Sequence, residues 1–211
     1  MNRRVVVTGM GLVTPLGIGV QDTWQALCAG KSGVGEITRF DTTKFQTKIA
    51  AEVKDFRAED FLPKKEAKRT ERFIAYAIAA TRMAMEDSGL VIDDTNAERI
   101  GVITGCGLGG LSILEDTCLT LKLKGPRRVS PFFIPMMIGN MAPGMISIQF
   151  GAKGPNASIA TACAAGRWRR FGHTGHERRF ASQARPDGRP AACERGRQAA
   201  DARHTARQAV S

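Results

Sequence analysis

The sequence predicts an α/β fold in which helices cover both faces of a largely parallel sheet. Three observations carry that prediction. Short β-branched runs ended by glycine recur along the chain, helical periodicity fills the stretches between them, and the two alternate. Strand–helix alternation points to parallel pairing, because a parallel neighbour needs a crossover long enough to hold a helix.

The elements follow in chain order. Residues 4–9, RVVVTG, read as a first strand, since a continuous β-branched run is how a strand buried on both faces looks. Residues 22–30, DTWQALCAG, read as a short helix with Asp22 near its start and Gly30 as its stop. The longest helical signal runs from Pro63 to Gly89. Phe73, Ala77, Ala80 and Ala84 mark one face of it, with Ile74, Ile78 and Met85 beside them. RIGVITG (99–105) reads as a second buried strand. After the glycine-rich turn GCGLGG (105–110), Leu111, Leu114, Cys118 and Leu121 recur at helical spacing. SPFFIPMM (130–137) reads as a proline-punctuated loop, GMISIQFG (144–151) as the end of another helix, and ASIATAC (157–163) as a third strand.

The chain has 211 residues and a formal net charge of +11. Such a charge suggests an acidic partner, but it is unevenly placed. Residues 1–166 hold 20 Lys and Arg against 16 Asp and Glu, a net +4, whereas residues 167–211 hold 11 Arg and 4 acids, a net +7. Residues 1–166 therefore read as the folded domain. The tail, 167–211, contains no Leu, Ile, Met, Lys, Asn or Tyr and is rich in Arg, Ala and Gly. It cannot bury enough apolar surface to offset its ordering entropy, so it is expected to be disordered. Its composition suits GC-rich coding DNA read out of frame; a genuine basic tail is the alternative. Some salt-dependent affinity for nucleic acid is expected of any such tail, but it holds no recognition motif, and no specific nucleic-acid partner is expected.

Five cysteines, Cys28, Cys106, Cys118, Cys163 and Cys193, are widely spread with no C-x-x-C pair, so neither a zinc site nor a redox pair is suggested. No apolar run approaches a membrane span, no secretory leader is visible, and a reducing cytoplasm fits best. VTGMGLVTPLG (7–17) is not a dinucleotide fingerprint, because Thr14 stands where the third glycine belongs. GCGLGG is not a phosphate loop, lacking the Gly-Lys-Ser/Thr ending, and is read as a turn close to a ligand or another subunit.

Cys163 is the candidate nucleophile. It ends a β-branched strand and enters a turn of alanine and glycine, where a substrate can come close. At a helix N-terminus, backbone N–H groups and the helix dipole would stabilise its thiolate and could hold an oxyanion. A buried structural cysteine is the competing reading. Cys28, Cys106 and Cys118 fall on apolar faces and are read as core. Residues 1–166 contain no histidine; His173, His176 and His204 all lie in the tail. The cations Lys64, Lys65, Lys68 and Arg69 open the long helix, where they oppose its dipole, and Arg127 and Arg128 follow another helix. They form either a solvated face or a docking site for an acidic partner.

RRVVVTGMGLVTPLG (3–17), FDTTKF (40–45), GCGLGG, SPFFIP and GPNASIATACAAG (154–166) resemble, in order and spacing, the N-terminal half of the β-ketoacyl-acyl-carrier-protein synthase II family. These are the elongating condensing enzymes of bacterial fatty-acid synthesis, with a thiolase-like, layered α-β-α fold. The resemblance covers residues 3–166. It implies that Cys163 accepts the acyl chain from the phosphopantetheine arm of acyl-carrier protein, that malonyl-carrier protein then loses CO2, and that the carbanion attacks the thioester. It implies that Leu108 lines the acyl tunnel, and that Phe133 and Ile134 reach the tunnel of the other subunit of a homodimer. It also implies that Lys65, Lys68, Arg69, Arg127 and Arg128 receive the acidic carrier protein. No cofactor or metal is implied. The family's second half, with two histidines and a lysine, has no counterpart here, and the tail histidines do not sit in its motifs. The chain is therefore expected to be truncated and inactive in condensation. A polyketide ketosynthase fragment and a non-catalytic carrier-docking module are the alternatives.

Overall fold

The computed structural model describes residues 5–161 and 165. These belong to the first of the two units into which the chain divides, Met1–Phe171 and Gly172–Ser211. Cys163, the three histidines and the tail lie outside the described residues.

The site is positioned by a parallel strand pair. β5 (Val102–Gly105) and β6 (Asn156–Ile159) align with Val102 opposite Asn156 and Gly105 opposite Ile159. The crossover between them holds α4 (Leu111–Lys124), α5 (Phe133–Met137) and α6 (Met141–Phe150). The parallel pairing expected from 99–105 and 157–163 is thus present, over a shorter length. Two small antiparallel hairpins precede it: β1 (Val13–Thr14) with β2 (Gly17–Ile18), and β3 (Gly35–Glu36) with β4 (Ile49–Ala50).

Helix α1 (Val20–Cys28) holds Asp22 in its first turn, and Gly30 just beyond it adopts φ 67°, the left-handed conformation that ends helices. The long helical signal is divided. α2 (Lys64–Ala67) is a single turn, and α3 (Arg72–Ser88) starts after Glu71, whose backbone is extended. Gly89 ends α3 in the left-handed region, as the sequence implied. The division also removes the expected clash between cations and dipole. One turn has little dipole, and Lys68 and Arg69 follow it rather than open a long helix.

The core gathers Ile74, Ala75 and Ile78 of α3, Ala142 and Ile146 of α6, and Leu62. The buried face of α3 is Ile74, Ala75, Ile78 and Ala79, with Phe73 and Ala77 at its border, so it is turned from the face expected around Phe73 and Ala84. The turn arises because α6 approaches on the alanine–isoleucine side. The first strand is a second departure. Val5, Val6 and Val7 pair with no strand among the described residues and are 89%, 66% and 77% exposed. A strand buried on both faces needs a layer packed on each face, and exposures this high leave Val5–Val7 uncovered by the described residues. The following residues are held instead by α3: a Cβ on Gly9 or Gly11 would collide with backbone of Ala84 or Ala80, and Met10 N–H donates to Asp87 Oδ2 at 2.9 Å. Those glycines serve close helix packing. Thr14 has its own task, bonding Gly17 O and the hydroxyl of buried Thr23.

SPFFIPMM is not wholly a loop. Phe133–Met137 forms α5, with Pro135 inside its first turn, where a missing N–H costs little. Cys28 and Cys118 are exposed and Cys106 is half-buried, so none of the three is core. Cys118 is exposed because the face it shares with Leu111, Leu114 and Leu121 meets no described element.

Candidate functional site

The carboxyl ends of β5 and β6 open onto a cleft, the place where open α/β sheets bind ligands. Its lining is Cys106, Gly107, Leu108, Gly139, Asn140, Ser158 and Ala160, around 220 Å³. Three segments meet there. Cys106 N–H continues the ladder by donating to Ile159 O at 3.0 Å. Ser158 Oγ donates to Gly139 O at 3.3 Å, which ties β6 to the start of α6. Asn156 Nδ2 strengthens that tie with bonds to Pro143 O and Ser147 Oγ, both 2.8 Å. A Cβ on Gly139 would stand 3.3 Å from Cys106 Sγ, so glycine there lets the α6 entry pass close to the thiol.

Leu108 lines this cleft from the loop between β5 and α4 and is 74% exposed. The loop is shaped by its glycines. Gly109 has φ 95°, and Gly110 N–H donates to Met137 O at 2.9 Å, so GCGLGG packs against the end of α5. Side chains at 109 or 110 would meet the carbonyls of Met137 and Met136. Phe133 and Ile134 sit on α5, half-buried and exposed respectively, and neither lines the cleft. Cys163 follows Ile159 by four residues, a reach of at most about 14 Å.

The basic residues occupy two exposed stretches. Lys65 lies on α2 with Lys68 and Arg69 just after it, and Arg127 and Arg128 lie in a 3-10 turn, Pro126–Arg128. None makes an ion pair among the described residues, where the pairs are Arg57–Asp60 and Lys153–Asp94. Arg69 instead stacks over the Phe132 ring, 4.6 Å from its centroid. Sequence reasoning missed Gly139, Asn140 and Ser158. The Gly-Asn pair before α6 was a readable helix-entry signal; nothing marked Ser158 apart from its place in the strand.

A larger cavity of 380 Å³ opens between the ends of α3 and α6, lined by Arg82, Met85, Glu86 and Phe150 among others. It holds none of the candidate site residues read from the sequence, whereas the cleft beside β6 is lined by Leu108. Among the described residues, no group of three or more His, Cys, Asp or Glu could hold a metal ion, and no helix is long and apolar enough to cross a membrane.

The chain is 54% identical over 164 residues to the 3-oxoacyl-acyl-carrier-protein synthase 2 of Synechocystis, covering 78% of this chain and 39% of that protein. The synthase of the same name from Coxiella burnetii is also 54% identical, over 78% and 40%. The chain thus spans about two fifths of the length of these curated relatives. Among solved structures, the ishigamide ketosynthase/chain length factor superposes with TM-score 0.67 at 30% identity, over 76% of this chain and 40% of that one. A beta-ketoacyl synthase from Burkholderia phymatum gives 0.64 at 25%, over 79% and 41%. The fold is that of the thiolase-like ketosynthases. The profile of the beta-ketoacyl synthase N-terminal domain matches residues 2–173, and the chain belongs to that family.

Proposed function

We propose that this chain carries the acyl-accepting and carrier-docking part of a 3-oxoacyl-acyl-carrier-protein synthase of fatty-acid elongation. The observation that carries the reading is the cleft at the ends of β5 and β6, which holds Leu108 and from which β6 runs toward Cys163. Acyl-carrier protein docks on Lys65, Lys68, Arg69, Arg127 and Arg128 and presents its phosphopantetheine thioester. The Cys163 thiolate attacks the acyl carbonyl, a new S–C bond forms, and the carrier thiol leaves and takes up a proton. Leu108 packs against the acyl chain. Phe133 and Ile134 face a second copy of the chain, and the exposed leucines of α4 suit the same homodimer contact. The compartment is the cytoplasm.

Decarboxylation of the malonyl group and stabilisation of the resulting enolate call for groups beyond residues 1–166, which contain no histidine. The expected outcome with acyl- and malonyl-carrier protein is therefore a stable acyl-enzyme without CO2 release. No acyl transfer would contradict the assignment of Cys163, and a 3-oxoacyl product would contradict the division of labour. A polyketide ketosynthase is the second reading; the 54% identity to a curated fatty-acid-type synthase, against 30% to the ishigamide ketosynthase/chain length factor, ranks it lower.

A further inference from the structure

Pro63–Gly89 reads as one helix, yet α2 stops at Ala67 and α3 starts at Arg72. The break contains two docking candidates, Lys68 and Arg69, together with Glu71. Three ties surround it. Arg69 stacks on Phe132, the residue before α5. Glu71 Oε1 accepts from Ser112 Oγ, in the first turn of α4, at 2.9 Å. Gly110 N–H donates to Met137 O, at the end of α5. The ties close a triangle of the break, the α4 start and α5. A Cβ on Gly110 would stand 3.2 Å from Glu71 Cγ, so the carboxylate stem already rests on the glycine loop.

The geometry points to Arg69 and Glu71 as positioning residues that fix the docking cluster against the loop carrying Leu108 into the cleft. The inference rests on the docking reading above. A guanidinium stacked on a ring keeps its full charge while its direction is set, so an acidic partner meets an oriented cation. The Ser112–Glu71 bond has a carboxylate acceptor and is of the stronger kind. An uncharged side chain, Phe132, thereby acquires influence over a charge-driven encounter.

The test titrates acyl-carrier protein with the full 211-residue chain at low and high salt. It compares the parent with Phe132→Leu, Arg69→Ala, their double variant, and Lys65→Glu. Phe132→Leu should weaken binding roughly two- to fivefold, the worth of one exposed cation–π contact, and leave the salt dependence as it was. Lys65→Glu should weaken binding and flatten the salt dependence. The double variant should bind no worse than Arg69→Ala alone. Amide hydrogen exchange without carrier should quicken at residues 109–113 in Glu71→Ala, while the amides of Ile74–Ala79 keep their protection and certify the fold. Parent-like binding by Phe132→Leu, additivity in the double variant, or unchanged exchange at 109–113 would overturn the inference alone. A parent chain that binds no carrier protein would overturn the docking reading and this inference with it.

Discussion

Helix α3 buries Ile74, Ala75 and Ile78 against α6, and Ala79 beside them, whereas α4 buries nothing, although Leu111, Leu114, Leu119, Leu121 and Leu123 all stand on it. The two helices differ in how their apolar residues are spread. On α3 the small and branched residues gather on one side, and alanines let α6, Gly9 and Gly11 approach. At 100° per residue, Leu111, Leu114 and Leu121 fall on one side of α4 and Leu119 and Leu123 on another. A helix that is apolar on more than one side belongs inside something larger. Periodicity therefore reports that a face needs cover and is silent on which part of an assembly provides it.

The largest loss of stability is expected at the centre of the α3 face. Ile78 is 0% exposed, so Ile78→Ala should cost about 2–5 kcal/mol, read as a drop in the urea midpoint. Gly11→Ala forces a methyl onto the backbone of α3 and should cost about 1–3 kcal/mol in the same assay. An equal loss from Leu121→Ala would erase the contrast; the expected change is within about 0.5 kcal/mol. If a second copy covers α4, Leu121→Lys should leave the unfolding midpoint alone while sedimentation shows weaker self-association. The smallest effect lies far from both helices. Glu52 is held below its ordinary pKa, chiefly by the Thr38 hydroxyl at 2.8 Å. A lowered folded-state value adds stability above the ordinary glutamate range, lost as pH falls through the lowered value. Thr38→Val should therefore shallow the acid limb of a stability–pH curve only slightly, since the pair is exposed to solvent.

What the sequence made legible was local and self-contained. Gly30, Gly89 and Gly151 end helices through left-handed backbone, and β-branched runs found β5 and β6. Features that depend on a distant partner were not legible. Val5–Val7 read as buried because their composition assumes cover on both faces. The break at residues 68–71 was invisible because nothing there disfavours helix; Phe132 and Ser112, more than 40 residues away, hold Arg69 and Glu71. Cys106 read as core, but the close approach of Gly139 leaves its thiol beside the cleft. The helix break and the cleft-side cysteine both adjoin the candidate site, where local rules are most often set aside.

On the proposed reading two cysteines are candidates for the acyl group: Cys106, which lines the cleft, and Cys163, four residues beyond the end of β6. The most direct measurement incubates the full chain with an acyl-carrier protein bearing a medium-length acyl chain and maps the modified peptide by tandem mass spectrometry. The expected result is one acyl group on Cys163 and none after Cys163→Ser. An acyl group on Cys106, or an unmodified chain, would contradict it.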